Sequence, residues 1–433
     1  MKKRTTLAIL ATMLLASTPA FCQSKATTIP SPIPSPHKGS TPTEGYVDAS
    51  KWKLVWSDEF DYEDKELDKK WVSANHPSMN LHCSRWRENA VVGDGTLRLV
   101  NKKEQRGGQE WTSGSIWTKE HFLYGYYECR YRYAAATSTN NSFWIMTKGA
   151  VPEGFKRYEI DINEGHYPNN VNSNVHNWTD ETINDKGKKT HPLDPKSYIF
   201  GSTPDIHIQL ETPVVATKLR FSSKMFTKFN INEFRAMSVI DADYPTIKTV
   251  GKMPTTEGLV NFMSLPSTKI TTSNPKGGVP ALTDGTSRGW RSQDSGEKWI
   301  EAEFDSAKTI GCIQLNTGWT MNGTAKGLLS QYKVEYFNGE KWIGIATMDV
   351  TDSVNFAEEF HTHGFEWNKD EMIFYLDGKE IRRTKNEFCH YPAPVWLSLA
   401  IIKWDGPLDV DNLDGTFMEV DYVRIYKAKK GKK

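Results

Sequence analysis

The stretch that most restricts how this chain can fold is Tyr158-Glu159-Ile160-Asp161-Ile162-Asn163-Glu164. Successive side chains of a β-strand point to opposite faces, so Glu159 and Asp161 share one face while Ile160 and Ile162 share the other. Glu164 lies five residues beyond Glu159, and a regular strand would turn it to the apolar side. A single bulge between Asp161 and Glu164 adds one residue and returns Glu164 to the acidic face. The spacing therefore predicts three carboxylates in a row on a bulged strand with an apolar back. A plain solvated strand face explains the pattern less well. Asp is depleted in strands, and no Lys or Arg between Glu159 and Glu164 offsets the repulsion.

Such a row suits chemistry at a glycosidic bond. Four strand steps of about 3.3 Å set the Cα atoms of Glu159 and Glu164 roughly 13 Å apart. Inward-leaning side chains shorten that towards the ~5–5.5 Å carboxyl separation of a retaining mechanism. Three neighbouring carboxylates cannot all ionise cheaply, which predicts a raised pKa for the proton donor.

The rest of the chain reads as nearly all β. Tyr126 to Tyr133 alternates as a half-buried strand. Short strand patterns with Gly-Asp-Gly and Asn-Gly turns recur, and long helical periodicity is missing, as in sandwiches and jelly rolls. Residues 1–22 read as a secretory signal: Lys2, Lys3 and Arg4, an apolar run from Leu7 to Leu15, then Ala20-Phe21-Cys22. That run is too short to span a membrane comfortably. Phe21 before Cys22 suits a lipid-anchor site poorly, which places cleavage after Cys22. Residues 23–44 form a Pro/Ser/Thr-rich linker. The chain is thus expected to be exported, to the periplasm, cell surface or medium, without a transmembrane segment. The net charge of +1 becomes −2 when Lys2, Lys3 and Arg4 are removed, so no basic field for nucleic acid remains. The basic tail 429–433 reads as a solvated end. Cys83, Cys129, Cys312 and Cys389 show neither a disulfide framework nor a zinc spacing; Cys129 and Cys312 sit in strand-like runs and read as packed thiols.

Glu-Ile-Asp-Ile-x-Glu resembles the bulged signature of glycoside hydrolase family 16, which includes laminarinases, agarases and carrageenases. Two separated blocks carry the resemblance in the family's order. The first runs from Trp52-Lys53-Leu54-Val55-Trp56-Ser57-Asp58-Glu59-Phe60 to about Lys196 and includes Phe143-Trp144-Ile145-Met146. The second runs from Phe360-His361-Thr362-His363-Gly364-Phe365-Glu366-Trp367 to Val420-Asp421-Tyr422-Val423-Arg424-Ile425-Tyr426. The resemblance implies a concanavalin-like β-jelly-roll built from 45–196 and 353–428. It also implies that Glu159 is the nucleophile, that Asp161 tunes the pair and that Glu164 is the acid/base. Asn163 departs from a position that is often apolar in the family.

The interruption, 197–352, resembles a discoidin-like carbohydrate-binding β-sandwich through Trp290-Arg291-Ser292, Trp299-Ile300-Glu301-Ala302-Glu303-Phe304 and Tyr332-Lys333-Val334-Glu335-Tyr336. Its closing strands, Ala216 to Phe221 and Ile231 to Ala236, come first. That order implies circular permutation, with Trp290 and Trp299 in a core of its own.

Sugar rings present apolar faces, so a cleft needs aromatic platforms beside polar groups. Trp144 matches the family residue that stacks beside the scissile bond; Trp86, flanked by Arg85 and Arg87, and Trp178 are further candidates. His176, in Asn174-Val175-His176-Asn177-Trp178, is either structural or the cleft histidine of agarase- and carrageenase-like members. Asp409, Asp411 and Asp414 miss the EF-hand spacing and read as turn residues. No cofactor is expected, although the resemblance implies a structural calcium on the convex side through Glu59 and Asp421.

The expected function is a monomeric, secreted, retaining endo-β-glycosidase acting on β-1,3- or β-1,4-linked polysaccharide. Thr139-Asn140-Asn141-Ser142 and the His176 context favour galactans over glucans. A glycan-binding protein without turnover, or a transglycosylase using the same acids, remains the alternative.

Overall fold

The computed structural model describes residues 45–429 apart from 78–79, 185, 246–256, 286–288, 294, 322–323 and 405–407. The expected signal and linker lie outside the described residues, as does the tail beyond 429. Two sheets face each other across one apolar core. The convex sheet has eight strands, in the order Lys379–Lys385, Glu371–Leu376, His361–Trp367, Gly125–Arg132, Phe417–Ala428, Thr96–Val100 and Ala90–Gly93, with Trp52–Asp58 also on Phe417–Ala428. The concave sheet has seven: Lys196–Ile199, Asn170–Asn177, Tyr158–Gly165, Thr139–Met146, Val395–Ile401, Ser115–Thr118 and Trp71–Ser73. Both sheets draw strands from both sequence blocks. Val395–Ile401 lies between Thr139–Met146 and Ser115–Thr118, so neither block closes the concave sheet alone.

Period-2 patterning sets which side chains enter the core. Tyr158, Ile160 and Ile162 of the acidic strand, Val171 and Val175 of its neighbour, and Val395, Leu397 and Leu399 are buried against Phe365, Trp367 and Phe374 of the convex sheet. The opposite faces of these strands form the concave surface. Asn163 points inward with the apolar residues and donates to the hydroxyls of Tyr131 and Tyr133. The polar residue at a core position is thus accommodated by two buried phenols.

On the convex side Glu59 is held by Arg424 at 2.8 Å and Asp421 by Arg130 at 2.5 Å. Each carboxylate is already neutralised by a guanidinium, so the pair does not fit a calcium site. Asp409 and Asp414 are turn residues, accepting from Asn412 Nδ2 and from the Lys103 N–H respectively. Cys83, Cys129, Cys312 and Cys389 are free and buried.

Between the blocks, Asp205–Ser223, Asn230–Ser238, Lys298–Thr317, Gln331–Phe337 and Trp342–Asp349 pair into a separate sheet, with Trp290–Arg291 and Lys269–Thr272 added. It encloses its own core, centred on Phe221, Phe229, Phe234, Trp290 and Ile313. Trp290 is fully buried, but Trp299 lies between buried Lys298 and Ile300 and turns to the half-exposed face. Lys196–Ile199 pairs with Asn170–Ser173 and so belongs to the concave sheet. Chain entry and exit adjoin: a Cβ built on Gly201 would stand 2.7 Å from Val350 Cγ2.

Candidate active site

Strand register shows how the three acids come to one face. On Thr139–Met146, alternate residues Met146, Trp144 and Ser142 share a side; they oppose Glu159, Asp161 and Glu164 respectively. The register slips between Phe143 and Trp144, where Ile162 has no partner. That bulge is what returns Glu164 to the side of Glu159 and Asp161. Gly165 ends the strand under Tyr133, whose ring would lie 2.2 Å from any added Cβ.

Each acid has its own holder. Asn140 Nδ2 donates to Glu164 Oε1 at 2.6 Å, and Trp178 Nε1 donates to Glu159 Oε2 at 3.1 Å. His176 stacks flat on Trp178, with centroids 4.9 Å apart. Its Nε2 lies 3.2 Å from Asp161 Oδ2 and 3.8 Å from Glu159 Oε1. Glu159, Asp161 and His176 together have the donor types of a metal site, but Glu159 Oε2 already accepts from Trp178 Nε1 and His176 Nε2 is engaged by Asn174 Nδ2.

Burial pushes Glu159 up to about 8, and the negative charge of Asp161 adds to the rise. Asp161 is driven well above the usual carboxylate range by burial and then by Glu164. The rise thus falls on the two enclosed carboxyls, Glu159 and Asp161. Their coupling resolves the apparent conflict with a nucleophilic Glu159. A proton on Asp161 removes the like charge beside Glu159 and supplies a hydrogen bond to it, so Glu159 can be the anion.

Directly opposed residues of antiparallel strands face the same way. One row therefore crosses the concave sheet as Asn174, Asp161, Trp144, Trp396 and Trp117. Trp144 stacks on Trp396 at 4.8 Å, and Trp396 lies 4.6 Å from Trp117, with Lys148 over Trp117 at 3.8 Å. The neighbouring row is Glu164, Ser142, Ser398 and Ser115. Tryptophans thus stand beside a floor of serines, and Trp144 Nε1 donates to Ser398 Oγ across it.

Of the sequence candidates, Glu159, Asp161, Glu164, Trp144, His176 and Trp178 converge here. Trp178 contacts a catalytic candidate directly rather than standing as a free platform. Trp86 does not join them: it follows a strand of a separate three-stranded sheet, with its N–H on Ser84 and Arg106 stacked 3.9 Å over its face. Neither flanking arginine serves it, since Arg85 reaches the Gly114 carbonyl and Arg87 pairs with Asp64 and Asp68. Trp396 and Trp117 were not among the sequence candidates. The signal for Trp396 was its polar-side alternation with Ser398 in Val395–Ile401.

A family model for glycosyl hydrolases family 16 matches residues 78–199 and 327–424, just over half of the chain. Its second segment opens at 327, although Gln331–Phe337 and Trp342–Asp349 pair inside the inserted sheet; strand pairing sets the boundary after Asp349. A β-glucanase of Rhodothermus marinus is 33% identical over 144 residues, 30% of this chain and 49% of that protein. A β-glucanase of Acetivibrio thermocellus is 32% identical over 149 residues, 30% of this chain and 42% of that one. The chain spans about half the length of these relatives, or less. The solved laminarinase catalytic domain of Thermotoga maritima aligns over 88% of this chain and 99% of its own at 16% identity, with a TM-score of 0.45.

Proposed function

Because the chain belongs to glycosyl hydrolases family 16, we propose that it cuts a β-linked polysaccharide internally by double displacement at Glu159 and Glu164. The supporting observation is the bulged strand that turns three carboxyls onto one face beside the tryptophan row. In the first step the Glu159 carboxylate attacks the anomeric carbon while Glu164 gives its proton to the departing glycosidic oxygen. A glycosyl ester on Glu159 results. In the second step Glu164, now a carboxylate, takes a proton from water as that water attacks the same carbon, restoring Glu159 and retaining configuration. Asp161 keeps its proton throughout and strengthens its hydrogen bond to Glu159 whenever Glu159 is anionic. Trp178 and Asn140 orient the two reacting carboxyls, and Trp144 with Trp396 offers apolar faces to the sugar rings.

Glu159→Gln should lower turnover by at least about 10³-fold while preserving fold and glycan binding. Glu164→Gln should retain activity on aryl glycosides with good leaving groups, and azide should rescue it to a β-glycosyl azide. Easily measured hydrolysis of polysaccharide by Glu159→Gln, or an α-azide product, would remove the assignment.

β-Glucans are the first polymers to test, since the matched relatives are β-glucanases. Galactans are the second arm, with the smaller claim: Asn140 is engaged by Glu164, and Asn141 is tied to Ala134 and Gly165. Products longer than the substrate would reveal sugar competing with water at the glycosyl-enzyme. The inserted sandwich is read as a permuted, discoidin-like glycan-binding unit, in keeping with Asp205–Ser223 and Asn230–Ser238 flanking Lys298–Thr317. Export is proposed from residues 1–22; among the described residues no helix is long and apolar enough to cross a membrane.

A further inference from the structure

A recess of about 200 Å³ opens beside Glu164 at the edge of the concave sheet. Asn172, Asn174 and Ser197 line it from the jelly roll, Trp404 from the loop after Val395–Ile401, and Lys326 from the inserted unit. Its volume falls below the roughly 300–1,000 Å³ of a site for a whole drug-sized ligand. It is suited to one more unit of a chain already lying in the cleft.

Lys326 arrives there on a small hairpin, Trp319–Met321 paired with Thr324–Lys326, which packs against Lys196–Ile199. Gly318 and Gly327 at its root have φ of +76° and +61°. A Cβ on Gly318 would come 2.6 Å from the Lys326 carbonyl, and one on Gly327 would strike the Trp319 ring at 1.8 Å. Only glycine allows this closure. The Gly318 N–H donates to the Asn230 carbonyl, and its own carbonyl accepts from Asn232 Nδ2 at 2.7 Å. The hairpin is therefore fixed to the inserted core and held at the cleft edge.

Trp404 is 61% exposed, unlike the half-buried Trp144 and Trp396. An open indole beside amides, a hydroxyl and an ammonium has the chemistry of pyranose recognition: an apolar ring face on the indole and hydroxyls to the polar groups. We propose that the inserted unit completes a sugar-binding subsite of the cleft, in which Trp404 and Lys326 hold a ring of the substrate chain adjoining Glu164. The proposal rests on the hydrolase reading and assigns the insert a place inside the active site.

In the full chain, Trp404→Ala, Lys326→Ala and replacement of 320–325 by Asn-Gly should each raise KM for a long polysaccharide, by about tenfold for Trp404→Ala. The shortest oligosaccharide that is cut should become longer, and Trp404→Phe should recover most of the loss. Calorimetry on the Glu159→Gln background gives a readout without turnover: adding Trp404→Ala or Lys326→Ala should weaken oligosaccharide binding by a similar factor. Unchanged KM, product sizes and binding across the series would overturn the subsite. A wild-type chain that cuts no polysaccharide but binds one would sink the hydrolase reading alone, and the binding series would still decide the subsite. Absence of both turnover and binding would sink both.

Discussion

Burying the Glu159 carboxyl costs stability. Burial raises this carboxyl to about 8 and that of Asp161 well above the usual carboxylate range, so the folded pair holds a proton that the unfolded chain releases. Stability from this group is full below about pH 4.5 and is lost as pH rises towards 8. Gln carries no proton to lose. Glu159→Gln should therefore raise the melting temperature more at pH 8 than at pH 4.5. A pH-independent difference would contradict the burial assigned here. Asn140 makes the complementary test. Asn140→Ala frees Glu164 from its 2.6 Å hydrogen bond and should lower kcat about 10–100-fold with KM little changed. In the sequence, Thr139-Asn140-Asn141-Ser142 bears only on the choice of polysaccharide, and nothing there gives Asn140 this role. Only the pairing of Ser142 with Glu164 shows the stretch to be a strand that holds the acid.

The acidic strand acts as one element because its two ends are pinned differently. Its bulge sets side-chain direction, and Gly165 lets Tyr133 close beneath it. Gly165→Ala would push Tyr133 away and take Asn163 with it, since Asn163 donates to the Tyr133 hydroxyl at 2.9 Å. Overpacking of this kind costs about 1–3 kcal/mol, and kcat should fall with stability; a stable, fully active Gly165→Ala would show that the strand end tolerates displacement. The bulge was legible from sequence because five-residue spacing and period-2 alternation admit few other solutions. The tryptophan row was not, because it is a property of register. Trp396 sits in an apolar run, Val395–Ile401, that reads as core until its partners Trp144 and Trp117 are known. Neighbours in an extended chain point apart, so neither Arg85 nor Arg87 meets Trp86; its cation is Arg106, from another strand.

For the whole molecule, the two cores share no residue, and the inserted unit leaves the jelly roll close to where it enters, at Gly201 and Val350. Replacing 204–349 by a short linker should leave a folded jelly roll that still cuts soluble polysaccharide, with a raised KM and a longer minimum substrate. A cut starting at 197 should do worse, because it removes the edge strand paired to Asn170–Ser173. Measured folding by circular dichroism and kcat/KM for the two deletions separates these outcomes. Family-like motifs stop and resume along the sequence, which suggests an interruption but does not say which flanking strand pairs with the sheet. The late arrival of Val395–Ile401 at the centre of the concave sheet has a consequence for synthesis. A ribosome makes the acidic strand and then the entire insert before it makes the strand that Thr139–Met146 and Ser115–Thr118 both require. Until then those two strands stand as open edges, and Trp144 lacks the ring it stacks on. A message cut short, or a chain clipped before residue 395, yields three acids and no cleft.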